Sequence, residues 1–192
     1  MNEIELTSTH DGRDLRTALG RFPTGVTVIT TAVPGGRSEG LTANSFSALS
    51  LSPPLVLWSI VTTSGSLPGF MASGHFAINV LESKQSDLSS RFAARSADKF
   101  TGLELLEGVG GSPVLASALA VFEYSTERTL DIGDHVLFIG RVHRVRWHEG
   151  DPLVFNAGQY CTARAMGPAT ELSMLLSGQA HLRAWGLQGA LP

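Results

Sequence analysis

Leu119-Ala120-Val121-Phe122-Glu123-Tyr124-Ser125-Thr126-Glu127-Arg128-Thr129-Leu130 leads through Asp131-Ile132-Gly133-Asp134 into His135-Val136-Leu137-Phe138-Ile139-Gly140-Arg141-Val142-His143-Arg144-Val145-Arg146-Trp147. Two long arms rich in β-branched and aromatic residues flank a short Gly-Asp turn, which predicts an antiparallel hairpin. In the second arm the apolar parity changes between Val142 and Val145, which predicts a bulge.

Working outward, Gly25 to Val33 is dense in β-branched residues and ends at Pro34-Gly35-Gly36, a strand and turn with a hairpin return through Ser38 to Thr42. An irregular stretch of Ala, Asn, Ser and Pro follows. Leu55 to Val61 is nearly continuously apolar, as in a strand buried on both faces. His75 to Val80 alternates as a strand, and Pro152 to Phe155 forms a last short one. Three short helices are expected. Gly12 to Phe22 places Leu15, Leu19 and Phe22 on one face, with Asp11 or Asp14 as cap and Pro23 as stop. Ser66 to Ser73 begins at a serine cap, and Gln85 to Ala94 has helical spacing through Leu88 and Phe92. Many short antiparallel strands with few helices predict a mainly β barrel rather than a doubly wound sheet. No Gly-x-Gly-x-x-Gly follows a strand, so a Rossmann fold is excluded. Residues 11–163 read as one domain. Residues 164–192, with Leu172, Met174, Leu175 and Leu176, read as a separate C-terminal tail.

A chain of 192 residues suits one domain and buries roughly 70% of its unfolded surface, so it needs no staple. The single cysteine, Cys161, fits a reducing compartment and excludes thiolate-cluster metal sites. The net charge of -3 and the absence of a basic tract longer than the interleaved Arg141 to Arg146 argue against nucleic-acid binding. The apolar runs, of which Val114 to Phe122 is among the longest, fall far short of the ~20 residues that span a bilayer. Residues 1–10 are polar without a signal pattern, so a cytoplasmic protein is expected. Abundant glycine (21 residues) with only 16% charged residues suggests many tight turns and an extensive buried surface, such as an oligomer interface.

Three clusters have the composition for chemistry. Thr42, Ala43, Asn44, Ser45, Phe46 and Ser47 combine small polar with apolar residues, which suits a planar ligand with a hydrogen-bonding rim. The alternative is a loop whose side chains satisfy its own backbone. Ser59, Thr62, Thr63, Ser64 and Ser66 offer hydroxyls to a phosphate, or simply cap a helix. His135, beside Asp134 in a tight turn, is either a pH-sensitive ligand contact or a solvated turn residue. His75, His143, His148 and His181 lack metal spacing, so no metal is expected. The lack of a Gly-x-Ser-x-Gly elbow disfavours a serine hydrolase.

The order of motifs is more specific than any one. Phe22-Pro23-Thr24-Gly25-Val26-Thr27-Val28-Ile29-Thr30 precedes Gly40-Leu41-Thr42-Ala43-Asn44-Ser45-Phe46, Ser52-Pro53-Pro54-Leu55-Val56 and Phe76-Ala77-Ile78-Asn79-Val80-Leu81. Gly133-Asp134-His135 with Gly140 follows, then Pro152-Leu153-Val154-Phe155 and Gly158-Gln159-Tyr160. Over about residues 13–162 this series resembles the flavin reductase-like domain family, in particular the reductase components of two-component flavin-dependent monooxygenases.

The resemblance implies a split β-barrel forming a homodimer, binding FAD or FMN, and taking electrons from NADH or NADPH to supply reduced flavin to a monooxygenase. It implies that Thr42, Ala43, Asn44 and Ser45 run along the isoalloxazine, with Phe46 and Ser47 beside them. Ser59, Ser64 and Ser66 match the region holding the ribityl phosphate, and Phe92 and Lys99 a segment covering the distal flavin. His135 matches a histidine near the nicotinamide, with Tyr160 close to the same opening. Trp58 departs from the smaller residues usual at its position and is expected to alter packing near the phosphate. The rival readings are a non-catalytic flavin-binding barrel, a split barrel of the pyridoxamine-phosphate oxidase or haem-binding kind, and an interaction protein working through its tail.

Overall fold

The computed structural model describes residues 12–96 and 98–164. In chain order the elements are α1 (Arg13–Leu19), β1 (Thr24–Gly25), β2 (Thr27–Val33), β3 (Arg37–Ala43), β4 (Ser47–Leu51) and β5 (Pro54–Val61). They continue as α2 (Leu67–Ser73), β6 (His75–Val80), α3 (Ser86–Ala93), β7 (Leu105–Glu107) and β8 (Pro113–Leu115). The hairpin arms β9 (Ala120–Ile132) and β10 (His135–Trp147) follow, and β11 (Leu153–Asn156) and β12 (Gln159–Thr162) close the series. The tail expected from residue 164 lies, beyond Arg164, outside the described residues, as does the Asp11 cap.

The predicted hairpin organises the fold. β9 and β10 pair from Ile132 opposite His135 to Ala120 opposite Trp147, around a two-residue Gly133-Asp134 turn. The expected bulge falls between Val142 and Arg144, and a second register shift lies between Ile139 and Gly140. Gly140 is needed there, because a Cβ would lie 2.7 Å from Phe76 Cζ. Seven antiparallel strands form one sheet in the order β3-β2-β6-β9-β10-β5-β4. The terminal strands β3 and β4 do not pair, so the sheet curls into a barrel that stays split, and the mainly β expectation holds. Among the described residues no helix is long and apolar enough to cross a membrane.

Two cores lie on opposite faces of β2 and β6. Ile29, Phe76 and Ile78 point inward to pack with Trp58, Phe138 and Tyr124, whereas Val28 and Ala77 point outward beneath Phe92, Val114 and Leu115. The period-2 geometry of a strand makes this division automatic. Asn79, fully buried, stitches the layers: its amide donates to the Val28 carbonyl (2.9 Å) and its oxygen accepts the Leu115 N–H (2.9 Å).

Several expectations are corrected. The strand buried on both faces is not β5. Only Val56, Trp58 and Ile60 of β5 are buried, and the alternate residues are partly exposed, because no second layer of the described residues covers that side. Trp58 lies wholly in the inner core, stacked on Phe138 at 4.8 Å and edge-on to Phe70 of α2 at 5.0 Å. The apolar face of α1 is not a core face: Leu19 is 63% and Phe22 76% exposed, since among the described residues the helix lies at the rim of the barrel, lining a surface cleft. Its N-terminal cap position belongs to Gly12 (φ 72°), while Asp14 sits in the first turn. Ser66 precedes α2 without capping it through its side chain. The irregular stretch after Ala43 contains β4, whose alternating half-buried Ala48 and Ser50 place it at the sheet edge.

Candidate functional site

The segment from Leu41 to Ser45 threads between two clefts. Leu41 and Thr42 line the first, of about 690 Å³, and Asn44 and Ser45 line the second, of about 1110 Å³. The turn from strand to strand puts it there: Asn44, Ser45 and Phe46 carry the chain from β3 to β4 across the split.

The first cleft is walled by β3, by the connection from β5 to α2, and by the segment following α3. Ser64 and Ser66 face it, as do Thr63, Arg95 and Lys99. Thr42 Oγ1 donates to the Ser89 carbonyl at 2.6 Å, and the Tyr160 hydroxyl donates to Ser89 Oγ at 2.9 Å. Lys99 Nζ donates to the carbonyls of Gly40 (3.1 Å) and Phe92 (2.9 Å). Burial lowers the Lys99 pKa from its ordinary 10.5, and the nearby charge of Glu39 opposes that shift. Phe92 is fully buried, edge-on to Phe100 at 5.1 Å, and forms the floor. Gly40 lets it approach: a Cβ there would lie 2.6 Å from the Phe92 ring.

The second cleft is larger. Arg13, Arg16 and Arg21 come from α1 and the turn after it, Leu19, Phe22 and Phe155 supply apolar wall, and His135 enters from the hairpin turn. His135 Nδ1 and Asp134 Oδ1 lie 2.7 Å apart, with both side chains substantially exposed. The hydrogen bond to His135 is the main cause holding the Asp134 carboxyl below its ordinary pKa.

The expected site residues thus divide. Thr42, Ser64, Ser66, Phe92 and Lys99 meet at the first cleft, and Asn44, Ser45 and His135 at the second. Tyr160 joins the Thr42 side through Ser89 and is not part of the second cleft's lining. Ser59 touches the site through its main chain, which holds the Ser45 hydroxyl. Ala43 and Phe46 pack against the inner core, with Phe46 5.5 Å from Phe122, and Ser47 is exposed, its hydroxyl donating to the Ala48 carbonyl. Sequence reasoning missed Glu39, Arg95 and the arginines of α1. For Glu39 the signal was present, because it lies two residues before Leu41 on one strand and so shares its face. The arginines carry no such signal, since only the packing of α1 at the rim brings them to a cleft. Among the described residues no cluster of His, Cys, Asp and Glu is arranged to hold a metal ion.

The comparisons with known proteins agree with this architecture. Residues 19–164 match the model of the flavin reductase like domain. The chain is 43% identical over 150 residues to the FMN reductase (NADH) SmoA of Agrobacterium fabrum, covering 78% of this chain and 85% of that protein. It is 44% identical over 151 residues to HsaB, the reductase subunit of a flavin-dependent monooxygenase in Rhodococcus jostii, covering 78% and 77%. It spans just over half of two other curated relatives, both from Rhizobium meliloti (57% and 55%). Among solved structures, the NADH:FAD oxidoreductase SgcE6 of Streptomyces globisporus, in complex with NAD and FAD fragments, superposes with a TM-score of 0.76 at 35% identity, covering 88% of this chain and all of that one. The chain belongs to the flavin reductase like domain family.

Proposed function

We propose that this protein is an NAD(P)H:flavin oxidoreductase that reduces FAD or FMN and delivers the reduced flavin to a partner monooxygenase. The observation that carries the reading is the pair of clefts meeting at Thr42–Ser45, one lined by hydroxyls, Arg95, Lys99 and the carboxylate of Glu39, the other by apolar wall, arginines and His135. This donor set fits an elongated flavin: cations and hydroxyls suit its phosphate end, and small residues with an apolar wall suit its ring. When bound, the flavin supplies the redox chemistry, accepting a hydride from the reduced nicotinamide. The chain's own residues bind and orient. Thr42, Asn44 and Ser45 present polar groups at the junction, Lys99 and Arg95 offset phosphate charge, and His135 recognises the nicotinamide nucleotide from the second cleft. Holding the two rings together makes the transfer effectively intramolecular, which contributes several kcal/mol without any general acid or base.

A homodimer and a cytoplasmic location belong to the same reading. The exposed Leu19, Phe22, Leu51, Ile132 and Trp147 give this monomer apolar surface for a second copy, and the lone Cys161 suits a reducing compartment. The test is oxidation of NADH and NADPH by purified protein with added FAD or FMN. Turnover that depends on added flavin is expected. Flavin binding without nicotinamide oxidation would instead indicate a non-catalytic flavin-binding barrel.

A further inference from the structure

The first cleft contains a carboxylate where a phosphate-binding region would be expected to be uniformly cationic. Glu39 lies on its wall with its side chain only 17% exposed. Its position is closely defined. Oε2 accepts the Ser66 hydroxyl at 3.1 Å, and Oε1 is 2.6 Å from Arg37 Nη2. Its stem lies against α2 at Gly69, where an added Cβ would come within 2.8 Å of Glu39 Cγ. The Ser66 hydroxyl hydrogen is therefore given to a carboxylate rather than offered to an anion. Of the charged side chains lining this cleft, Arg95 and Lys99 are cationic, and Glu39, paired with Arg37 beside the cleft, is anionic.

The two flavins that the proposed function admits differ at this end of the molecule. FMN ends in a phosphate monoester carrying about −1.5 to −2 charges at neutral pH. In FAD that phosphate is esterified to a second one, so about the same total charge is spread over two phosphates with one on each, and the diphosphate continues into an adenosine whose hydroxyls a carboxylate can accept, as acidic residues do for the ribose in other dinucleotide sites. A cleft of about 690 Å³ also has more room than a terminal phosphate requires. We propose that Glu39 is a specificity-determining residue that makes this cleft select FAD over FMN, by opposing the charge that FMN concentrates on one terminal phosphate and FAD spreads over two, and by accepting hydroxyls of the adenosine half. The inference rests on the flavin reading of the cleft and names its substrate.

The experiment is equilibrium binding of FAD and of FMN, followed by flavin fluorescence, to the wild-type protein and to Glu39→Gln, with NADH oxidation measured on the same preparations. Glutamine keeps the shape against Gly69 and an oxygen for Ser66, and an affinity ratio within one preparation is insensitive to how much of it is folded. Wild type is expected to bind FAD about tenfold more tightly than FMN, the scale of one charge interaction in a partly screened cleft. Glu39→Gln is expected to tighten FMN several-fold and to leave FAD unchanged or weaker. Equal affinity for the two flavins in wild type, or an unchanged ratio in the variant, overturns the role of Glu39. If turnover persists in that case, the reductase reading survives without it. The expected ratios without NADH oxidation would leave Glu39 as the selector and remove the reductase. Failure to bind either flavin removes both.

Discussion

Ser45 and Ser59 are joined through one hydroxyl: Ser45 Oγ donates to the Ser59 carbonyl and accepts the Ser59 N–H, each at 3.0 Å. A side chain thus does at the split what a neighbouring strand does elsewhere in the sheet, satisfying both main-chain groups of a β5 residue. The link also fixes the junction between the two clefts, since Ser45 lines one of them.

Ser45→Ala leaves two main-chain groups of a half-buried strand without their partner. A loss of about 1–3 kcal/mol is expected, on the scale of an unsatisfied buried polar group, with weakened flavin binding. Ser59→Ala keeps the same main-chain groups and should cost much less. Urea unfolding of the two variants compares them directly, and equal losses would contradict the bridging role.

Gly40→Ala tests the close packing under the first cleft. The new Cβ would meet the fully buried Phe92 ring at 2.6 Å, and Phe100 lies behind it at 3.0 Å. Overpacking of this kind costs about 1–3 kcal/mol. The melting temperature should fall and flavin affinity with it, because Lys99 donates to the carbonyl of the same residue.

Removing the imidazole at position 135 should act on the second cleft alone. His135→Ala is expected to raise the apparent nicotinamide KM by several-fold while changing the flavin dissociation constant by less than about twofold, the loss of one polar contact. Steady-state kinetics beside flavin titration separates the two. An unchanged nicotinamide KM with lost flavin binding would contradict the assignment.

Asp134 provides a titration marker for the same turn. Its carboxyl is held below the ordinary 3.8, chiefly by the hydrogen bond to His135 and then by its charge. A depressed carboxyl pKa means that the contribution to stability is present above the ordinary value and disappears as pH falls through the lower folded one. An NMR titration of the Asp134 side chain should show a midpoint below 3.8 in wild type and a return toward it in His135→Ala. Full solvent exposure keeps the effect on global stability small.

Much of the fold was legible along the chain. The hairpin, its bulge near Val142 and the strands β2, β3, β6 and β11 follow from local patterns of β-branched residues punctuated by Gly, Pro and Asp. The short edge strands β4, β7 and β12 were not legible. These strands of three to five residues hold no Val or Ile and too few alternations to show a period, unlike β11 with Val154 and Phe155 behind Pro152, and pairing with a neighbour creates them.

The sequence by itself determined the mainly β class, the long hairpin, and the motif order that marks the family, because each depends on residues close together in the chain. Tertiary structure decided which apolar runs became core. Leu55 to Val61 looked doubly buried, yet β2 and β6 hold that place, because burial on a second face requires another layer, which among the described residues α3 and β8 supply over those strands. It also decided how the expected site residues divide between two clefts, and it brought Glu39 and the arginines of α1 to them. Such neighbours are joined by the curl of the sheet across dozens of residues, and a local pattern carries no information about which distant segment will lie opposite.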